Sequence, residues 1–595
     1  MIITSSISSL ISTASYSNLK APWFALILSL FLFLIRSGLS SPLQGVHWDT
    51  PIYLYHGERF AETPLLRDYS QSARTIAAMV DGVTITGNNF WSPYWHFMRL
   101  GHIVVVGSIF SIFGTRDAAI EFLHWLFPFF MCLTVLLIII MLDVLSAHLK
   151  TKIPRSELLW GGVASAGCFL SSDICGYLGR SVVSETPALL FLTGACLSLV
   201  VGQHGRSISW SIAAGILACF SYVTRLETIW TFLAFVPVLV GAQRGIQSDL
   251  PWCRGYFAAL SSAITFWLLY SVYFFPLTNP LLFLAFRANE SISPLEASFY
   301  RISAATGLLL PGAIVYFSTK LGERVWMFLA TWLTIALLPT VPHLLAGYTM
   351  QTRMFVPFVF IPAYIASSYC WANLIMGFQA TAKSRLALIA ATAVCLALTF
   401  SSPEVHRILR TFPGGWRVVP VLEILEPLVL LPSWEKRDYN LAESRGIAEI
   451  IETAHHNKVV VALPPLIDGK GFLYLLQMYS SRRELSKHPA MSGEPVFHGY
   501  CLPIEQMTAH DVLQYCTTDN IDKVKPLVAE FEHVFILDDS HSRSNWGKLK
   551  DLPASRAYLG KDLTLWHAAP KKLTERGESI RRYGAPKANE VDRNG

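Results

Sequence analysis

The 595-residue chain is 52% hydrophobic and only 15% charged, with a mean hydropathy of +0.42. A soluble globule cannot bury that much apolar surface, so the chain reads as a polytopic α-helical membrane protein. Its formal charge of +6 is small for this length, and the basic residues are scattered through short loops with no stripe among them, which excludes nucleic acid as a partner.

Residues 1–20 are polar and Ser-rich and read as a cytoplasmic N-terminus ending at Lys20. Ala21–Ile35 is the apolar core of a first span, closed by Arg36; a cleaved signal peptide is the alternative, since GLSSP follows the run. A long outer loop, residues 38–118, comes next and opens with HWDTPIYLYHGERF, His47 to Phe60. Here Asp49 stands among Trp48, Tyr53 and Tyr55 at a membrane surface, where a carboxylate is poorly solvated and its basicity is set by its partners. It is the candidate reaction centre. The plainer reading is an acid in the headgroup layer with an aromatic belt around it.

Leu100–Phe113 is apolar but shorter than the roughly 20 residues a crossing needs, so it is expected to lie flat as an interfacial or re-entrant helix. With that choice Lys150, Lys152, Arg155, Arg206, the Arg244–Arg254 loop, Lys320, Arg324, Lys383 and Arg385 all fall on the cytoplasmic side by the positive-inside rule. About eleven spans result, at roughly 21–37, 119–147, 157–172, 186–202, 209–223, 229–242, 255–275, 301–318, 326–342, 353–376 and 385–401. The Asp49 loop, Asp173 to Glu185, Arg225 with Glu227, Phe275 to Tyr300 and His343 to Arg353 then share the non-cytoplasmic face.

Beyond the last span, 402–569 is expected to be an extracytoplasmic α/β domain, with a helix in DYNLAESRGIAEIIETAHH and strands at VVVAL, HVFILDD, RAYLG and LTLWHA. Residues 570–595 are charged, carry few apolar anchors and read as a disordered tail. The span cysteines, Cys132, Cys168, Cys196, Cys219, Cys370 and Cys395, fall singly in apolar runs and read as packing residues. Cys501 and Cys516 in the tail domain are either a disulfide or two buried thiols.

Five further polar residues interrupt apolar sequence. Ser184 and Glu185 open the span SETPALLFL, where capping and the helix dipole alone give them a role. Arg225 and Glu227, in SYVTRLETIW, are charges at membrane depth; they pair with each other as a hinge, or Arg225 meets an anionic phosphate. Arg353, in QTRMFVPFVFIP, stands at the outer end of a span, where snorkelling to the interface is the plainer account. His47, His56 and His96 with Asp49 are a possible zinc set, but histidines near Trp and Tyr more often serve as hydrogen-bonding belt residues, so no metal and no cofactor is expected.

HWDTPIYLYHGERF, SPYWHFMRLGHIVVVGSIFSIFG, GRSVVSETPALLFL, AGILACFSYVTRLETIWTFL and TRMFVPFVFIPAYI, in this order, resemble the integral-membrane GT-C glycosyltransferases, in the protein mannosyltransferase-like and aminoarabinose transferase-like branch. The resemblance covers about residues 21–401. It implies a GT-C-like fold with a polyprenyl-phosphate sugar as donor and a glycan, lipid or protein hydroxyl as acceptor. Asp49 matches the family's acidic residue in the first outer loop and would be the general base of an inverting displacement. Arg225 and Arg353 would hold the departing lipid phosphate, and Glu185 would orient acceptor or sugar. Two departures stand out: Trp48-Asp49-Thr50 replaces an acidic pair, and Ser92-Pro93 replaces Pro-Pro. A transporter or flippase for a lipid-linked or amphipathic solute, and a non-catalytic scaffold, are the other readings. Transporters commonly show internal repeats and midplane charge chains, and the sequence has neither.

Overall fold

A computed structural model describes residues 16–39, 50–62, 99–149, 151, 153–171, 173–204, 207–225, 228–244, 251–274, 352–378, 441–454, 458–463, 512–517, 521–539, 552, 554–559 and 563–568, with short pieces at 329, 332, 475–476, 478–479, 484–487 and 496–499. The expected spans at 301–318 and 385–401, Cys395 and Cys501, and the site candidates Asp49 and Glu227 lie outside these residues.

Eleven described helices precede the tail: α1 Tyr16–Leu39, α2 Thr50–Glu62, α3 Leu100–Phe113, α4 Arg116–Leu149, α5 Arg155–Ser171, α6 Asp173–Arg180, α7 Glu185–His204, α8 Ile208–Thr224, α9 Thr228–Arg244, α10 Pro251–Phe274 and α11 Thr352–Phe378. Among the described residues, α4 and α7 are long and apolar enough to cross a bilayer, with mean hydropathies of 2.7 and 1.6. Phe24, Ile27, Phe31 and Leu32 of α1 and Phe257, Ile264, Leu268 and Leu269 of α10 face outward. Apolar side chains of that size are turned to the surroundings where the surroundings are lipid.

The interior of the bundle is a single buried cluster drawn from α1, α4, α5, α7, α9 and α11, including Phe33, Val135, Leu142, Phe169, Leu192, Phe235 and Tyr364. Cys132 and Cys196 belong to that interior, Cys219 and Cys370 are also buried, and Cys168 is half-buried; all five are free thiols. Two polar contacts cross it: the Tyr364 hydroxyl donates to the Gly162 carbonyl at 2.8 Å, and Ser165 bonds Ser367 at 2.9 Å. At one end of the bundle the Arg155 guanidinium grips both Asp143 oxygens, at 2.7 and 2.6 Å, and fixes the turn from α4 to α5.

Within the expected outer loop, two helices lie against each other. The 14-residue α3 is about 21 Å long, too short for a crossing, as its sequence implies. It meets α2 where two glycines face: a Cβ on Gly107 would come 2.9 Å from the Gly57 carbonyl oxygen, so only glycine permits this approach. Gly114, at φ 66°, ends α3 in the left-handed conformation and turns the chain directly into α4.

The tail holds α12 Leu441–Glu452, β1 Val459–Leu463, β2 Glu484–Lys487, β3 Val496–Gly499, β4 Val512–Thr517, α13 Ile521–Glu530, β5 His533–Asp539, β6 Ala554–Leu559 and β7 Leu563–Ala568. The seven strands form one mixed sheet in the order β3-β2-β4-β1-β5-β7-β6. Its centre is parallel, β1 pairing with β4 and β5. Its edges are antiparallel. The all-apolar β1, VVVAL, is fully buried at the middle, as a strand covered on both faces should be. Cys516, on β4, is a buried thiol whose pKa burial pushes up to about 12; its candidate partner Cys501 lies outside the described residues.

Candidate functional site

Several helix ends converge at the start of α2. Thr50 opens α2, and its hydroxyl accepts a hydrogen bond from the Val182 N–H at 3.1 Å, tying the start of α2 to the segment that leads into α7. Two residues later Ser184 caps that helix: its carbonyl takes the first intrahelical bond from Ala188 N–H. Gly101, in the first turn of α3, lies against Thr224, the last residue of α8; a Cβ there would be 2.7 Å from the Thr224 hydroxyl. Arg225 follows in an extended conformation and breaks the chain between α8 and α9. Its carbonyl accepts from the Thr228 N–H and hydroxyl, and Ser221 bonds the same hydroxyl at 2.8 Å, so the break is held on both sides.

The side chains gathered there form a directed network. The Arg225 guanidinium pairs with Glu185 at 3.0 Å, and both side chains are 0% exposed. It also donates to the Ser184 hydroxyl at 3.2 Å. That hydroxyl accepts a second bond from the Tyr53 hydroxyl at 3.4 Å and gives its own proton to Glu185 at 3.3 Å. Tyr53 in turn accepts a short hydrogen bond from Arg99. The chain of hydrogen bonds thus runs from Arg99 through Tyr53 and Ser184 to the Glu185 carboxylate, using each hydroxyl once as donor and otherwise as acceptor. The His102 ring packs edge-on to Tyr53 at 4.3 Å and to Phe127 at 5.6 Å, giving the network an aromatic wall.

Ionic groups so far from water are costly unless paired, and here Ser184 bonds both members, accepting from Arg225 and donating to Glu185. The first turns of α2, α7 and α9 lie at the pair, and helix N-termini carry partial positive charge. Such a place suits an anion.

Of the residues proposed from sequence, Glu185 and Arg225 are brought into direct contact. Asp49 precedes Thr50 in the chain. Arg353 lies in the first turn of α11. Two participants were not singled out in the sequence: Tyr53 read as part of an aromatic belt, and Arg99 drew no notice. Arg99 carried a signal all the same. A cation immediately before the apolar run Leu100–Phe113 opposes the helix dipole, and in the structure it makes no capping bond, so it is held there by another partner. Among the described residues no three His, Cys, Asp or Glu side chains are placed to hold a metal ion. His56 is buried edge-on to Tyr55 at 5.2 Å, and His47 and His96 lie outside the described residues.

No family model matches the chain and no curated protein matches it. Solved structures are similar to it, among them the following two. The ArnT of Cupriavidus metallidurans, solved bound to undecaprenyl phosphate, is 15% identical over 91% of this chain and 99% of that one, with a TM-score of 0.46. An oligosaccharyltransferase of Archaeoglobus fulgidus, in complex with Zn and sulfate, is 10% identical over 86% of this chain and 67% of that one, with a TM-score of 0.39.

Proposed function

We propose that this chain is an integral-membrane glycosyltransferase that moves a sugar from a polyprenyl-phosphate donor to an acceptor hydroxyl at the non-cytoplasmic face. The observation that supports it most is the buried cluster of Arg225, Glu185, Ser184, Tyr53 and Arg99, set against the helix that begins one residue after Asp49. In this reading Asp49 removes the acceptor proton as the acceptor oxygen attacks the anomeric carbon. The bond from that carbon to the phosphate oxygen breaks, and the configuration inverts. Negative charge grows on the departing lipid phosphate, where Arg225, aided by Arg353 and the positive helix ends, stabilises it. Glu185 is the resting counter-ion of Arg225 and orients the sugar or acceptor. No metal or organic cofactor is required in this scheme; the lipid-linked sugar is a co-substrate. Residues 402–569 form the extracytoplasmic domain, and 570–595 the tail.

The break between α8 and α9, with a buried charge at it, is also a device that transporters use, so flipping of a lipid-linked solute is the second reading. One experiment separates them. Purified protein is given a labelled polyprenyl-phosphate sugar and membrane extract, with Asp49→Asn in parallel. Transfer that falls by roughly 10² to 10⁴ in the variant, with donor KM nearly unchanged, is expected of a lost general base. Donor movement across vesicles without transfer, unaffected by Asp49→Asn, sinks the enzyme reading.

A further inference from the structure

The globular tail is fastened to the site-bearing helix by a charged junction. At the first residue of α4, the Arg116 Nε lies 2.5 Å from Oε1 of Glu58, which stands on α2 one and a half turns beyond Tyr53. The other face of the same guanidinium is covered by the ring of Tyr479, from the tail, at 5.0 Å. Beside it Asp117 pairs with Arg445 of α12 at 3.2 Å, and Arg445 is held in turn by Glu449 at 3.1 Å. The outer pair is half-exposed and contributes little, but the Arg116 and Glu58 side chains are mostly buried, at 31% and 14% exposure, and the cation is shared between a carboxylate and a ring. Burial and the Asp117 charge push the Tyr479 hydroxyl up to about 12, so the ring stays neutral.

Beneath the junction one apolar cluster runs without interruption from Leu54, Ile103, Ile120 and Leu123 into Ile447, Leu475 and Leu476. The tail therefore rests on the corner that α2, α3 and α4 make. Gly114 turns that corner tightly, and the glycine contact between α2 and α3 leaves α2 little room to slide.

We propose that Arg116 is a positioning residue through which the docked tail domain, acting by Tyr479, fixes the register of α2 and with it Tyr53 and the chain at Asp49. This rests on the reaction proposed above. The tail is then part of the transferase unit: undocking it lets α2 drift, and a small misplacement of a reacting group costs rate without costing donor affinity.

The test uses the full chain in lipid nanodiscs with Arg116→Gln, Tyr479→Leu, Tyr479→Phe and the Arg116→Gln/Tyr479→Leu double variant. Two readouts are taken: kcat and donor KM for sugar transfer, and hydrogen exchange of amides 50–62. Arg116→Gln and Tyr479→Leu are each expected to lower kcat by roughly ten- to a hundred-fold with KM changed less than about two-fold. Both should speed exchange in 50–62. Tyr479→Phe, which keeps the ring over the guanidinium, should retain wild-type exchange, and the double variant should be no worse than the weaker single one, because both act through one contact. Wild-type exchange and kcat in Tyr479→Leu overturns the proposal. If the wild type transfers no sugar, the reaction fails on its own account, and the exchange readout still decides whether the tail holds α2.

Discussion

Arg225 and Glu185 lie 3.0 Å apart with both side chains wholly shielded from solvent, yet they come from different helices and are separated by 39 intervening positions of mostly apolar chain. Each is at a helix end, Glu185 at the start of α7 and Arg225 at the break after α8, where backbone groups are available to help carry the charge. The pair therefore couples two helix ends, and a phosphate arriving beside Arg225 must compete with Glu185 for it.

Removing one member should be far worse than removing both. Arg225→Ala strands a buried carboxylate, and loss of one partner of a buried pair typically costs about 3–5 kcal/mol. Arg225→Leu with Glu185→Leu leaves no charge behind and should recover most of that stability while leaving transfer activity abolished. Thermal melts of the detergent-solubilised variants measure the first effect and transfer assays the second. A double variant that regains activity along with stability assigns the pair to the scaffold and removes Arg225 from the donor phosphate.

The contact between α2 and α3 predicts a separate sensitivity. Gly107→Ala puts a methyl group against the Gly57 carbonyl and the Phe60 ring, so the helices must separate or Phe60 must turn away. Overpacking of this kind costs about 1–3 kcal/mol, and the shift passes directly to Tyr53. Lower stability and lower kcat together are expected. Gly114→Ala meets no neighbouring atom and should cost only its left-handed backbone conformation, about 1 kcal/mol, with kcat kept.

Much of this arrangement was legible in the chain. The short apolar run of α3, the helix opened by Ser184 and Glu185, and the strands VVVAL, HVFILDD and LTLWHA carry local signals strong enough to survive burial. The charges that interrupt apolar sequence at Glu185 and Arg225 pointed to a polar centre, because such residues are expensive in a membrane. Their partnership was not legible. Arg225 has Glu227 two residues away, and nothing local reveals that Glu185 reaches it from another helix. Strands β2 and β3 are four residues each and β4 is VLQYCT, too short or too mixed to stand out. The centre of the sheet follows from the parallel pairing of β1 with β4 and β5, which joins residues more than fifty positions apart.

The tail sheet should respond to acid. His533 Nδ1 and His567 Nε2 are 2.9 Å apart across β5 and β7, and the rings stack at 5.1 Å. Burial first, and then the neighbouring His533, push the His567 imidazole down from 6.5 to about 4. The unfolded chain binds this proton more readily than the folded one between those two values. Stability is therefore complete above pH 6.5 and falls as pH drops toward 4, with no further change from this group below that. Protection of amides 533–539 in the full chain, taken relative to the intrinsic exchange rate at each pH, should fall over that window, and His567→Gln should flatten the dependence. Equal protection at pH 4.5 and 7 in the wild type rejects the coupling.

Tyr53 offers the sharpest division of the site network, since its hydroxyl connects Arg99 to Ser184. Tyr53→Phe keeps the ring and its contact with His102 but removes one acceptor from a buried arginine and one donor from Ser184, a loss of about 1–3 kcal/mol. Ser184→Ala removes the same link from the other side, and additionally the bonds to Arg225 and Glu185. If the four side chains work as one directed chain, the effects of the two substitutions on kcat overlap, and the double variant is little worse than Ser184→Ala alone. If Arg99 and Tyr53 merely pack beside the ion pair, the effects multiply. Measuring kcat and donor KM for wild type, both single variants and the double closes the cycle, and strictly multiplicative losses would show that the network stops at Ser184.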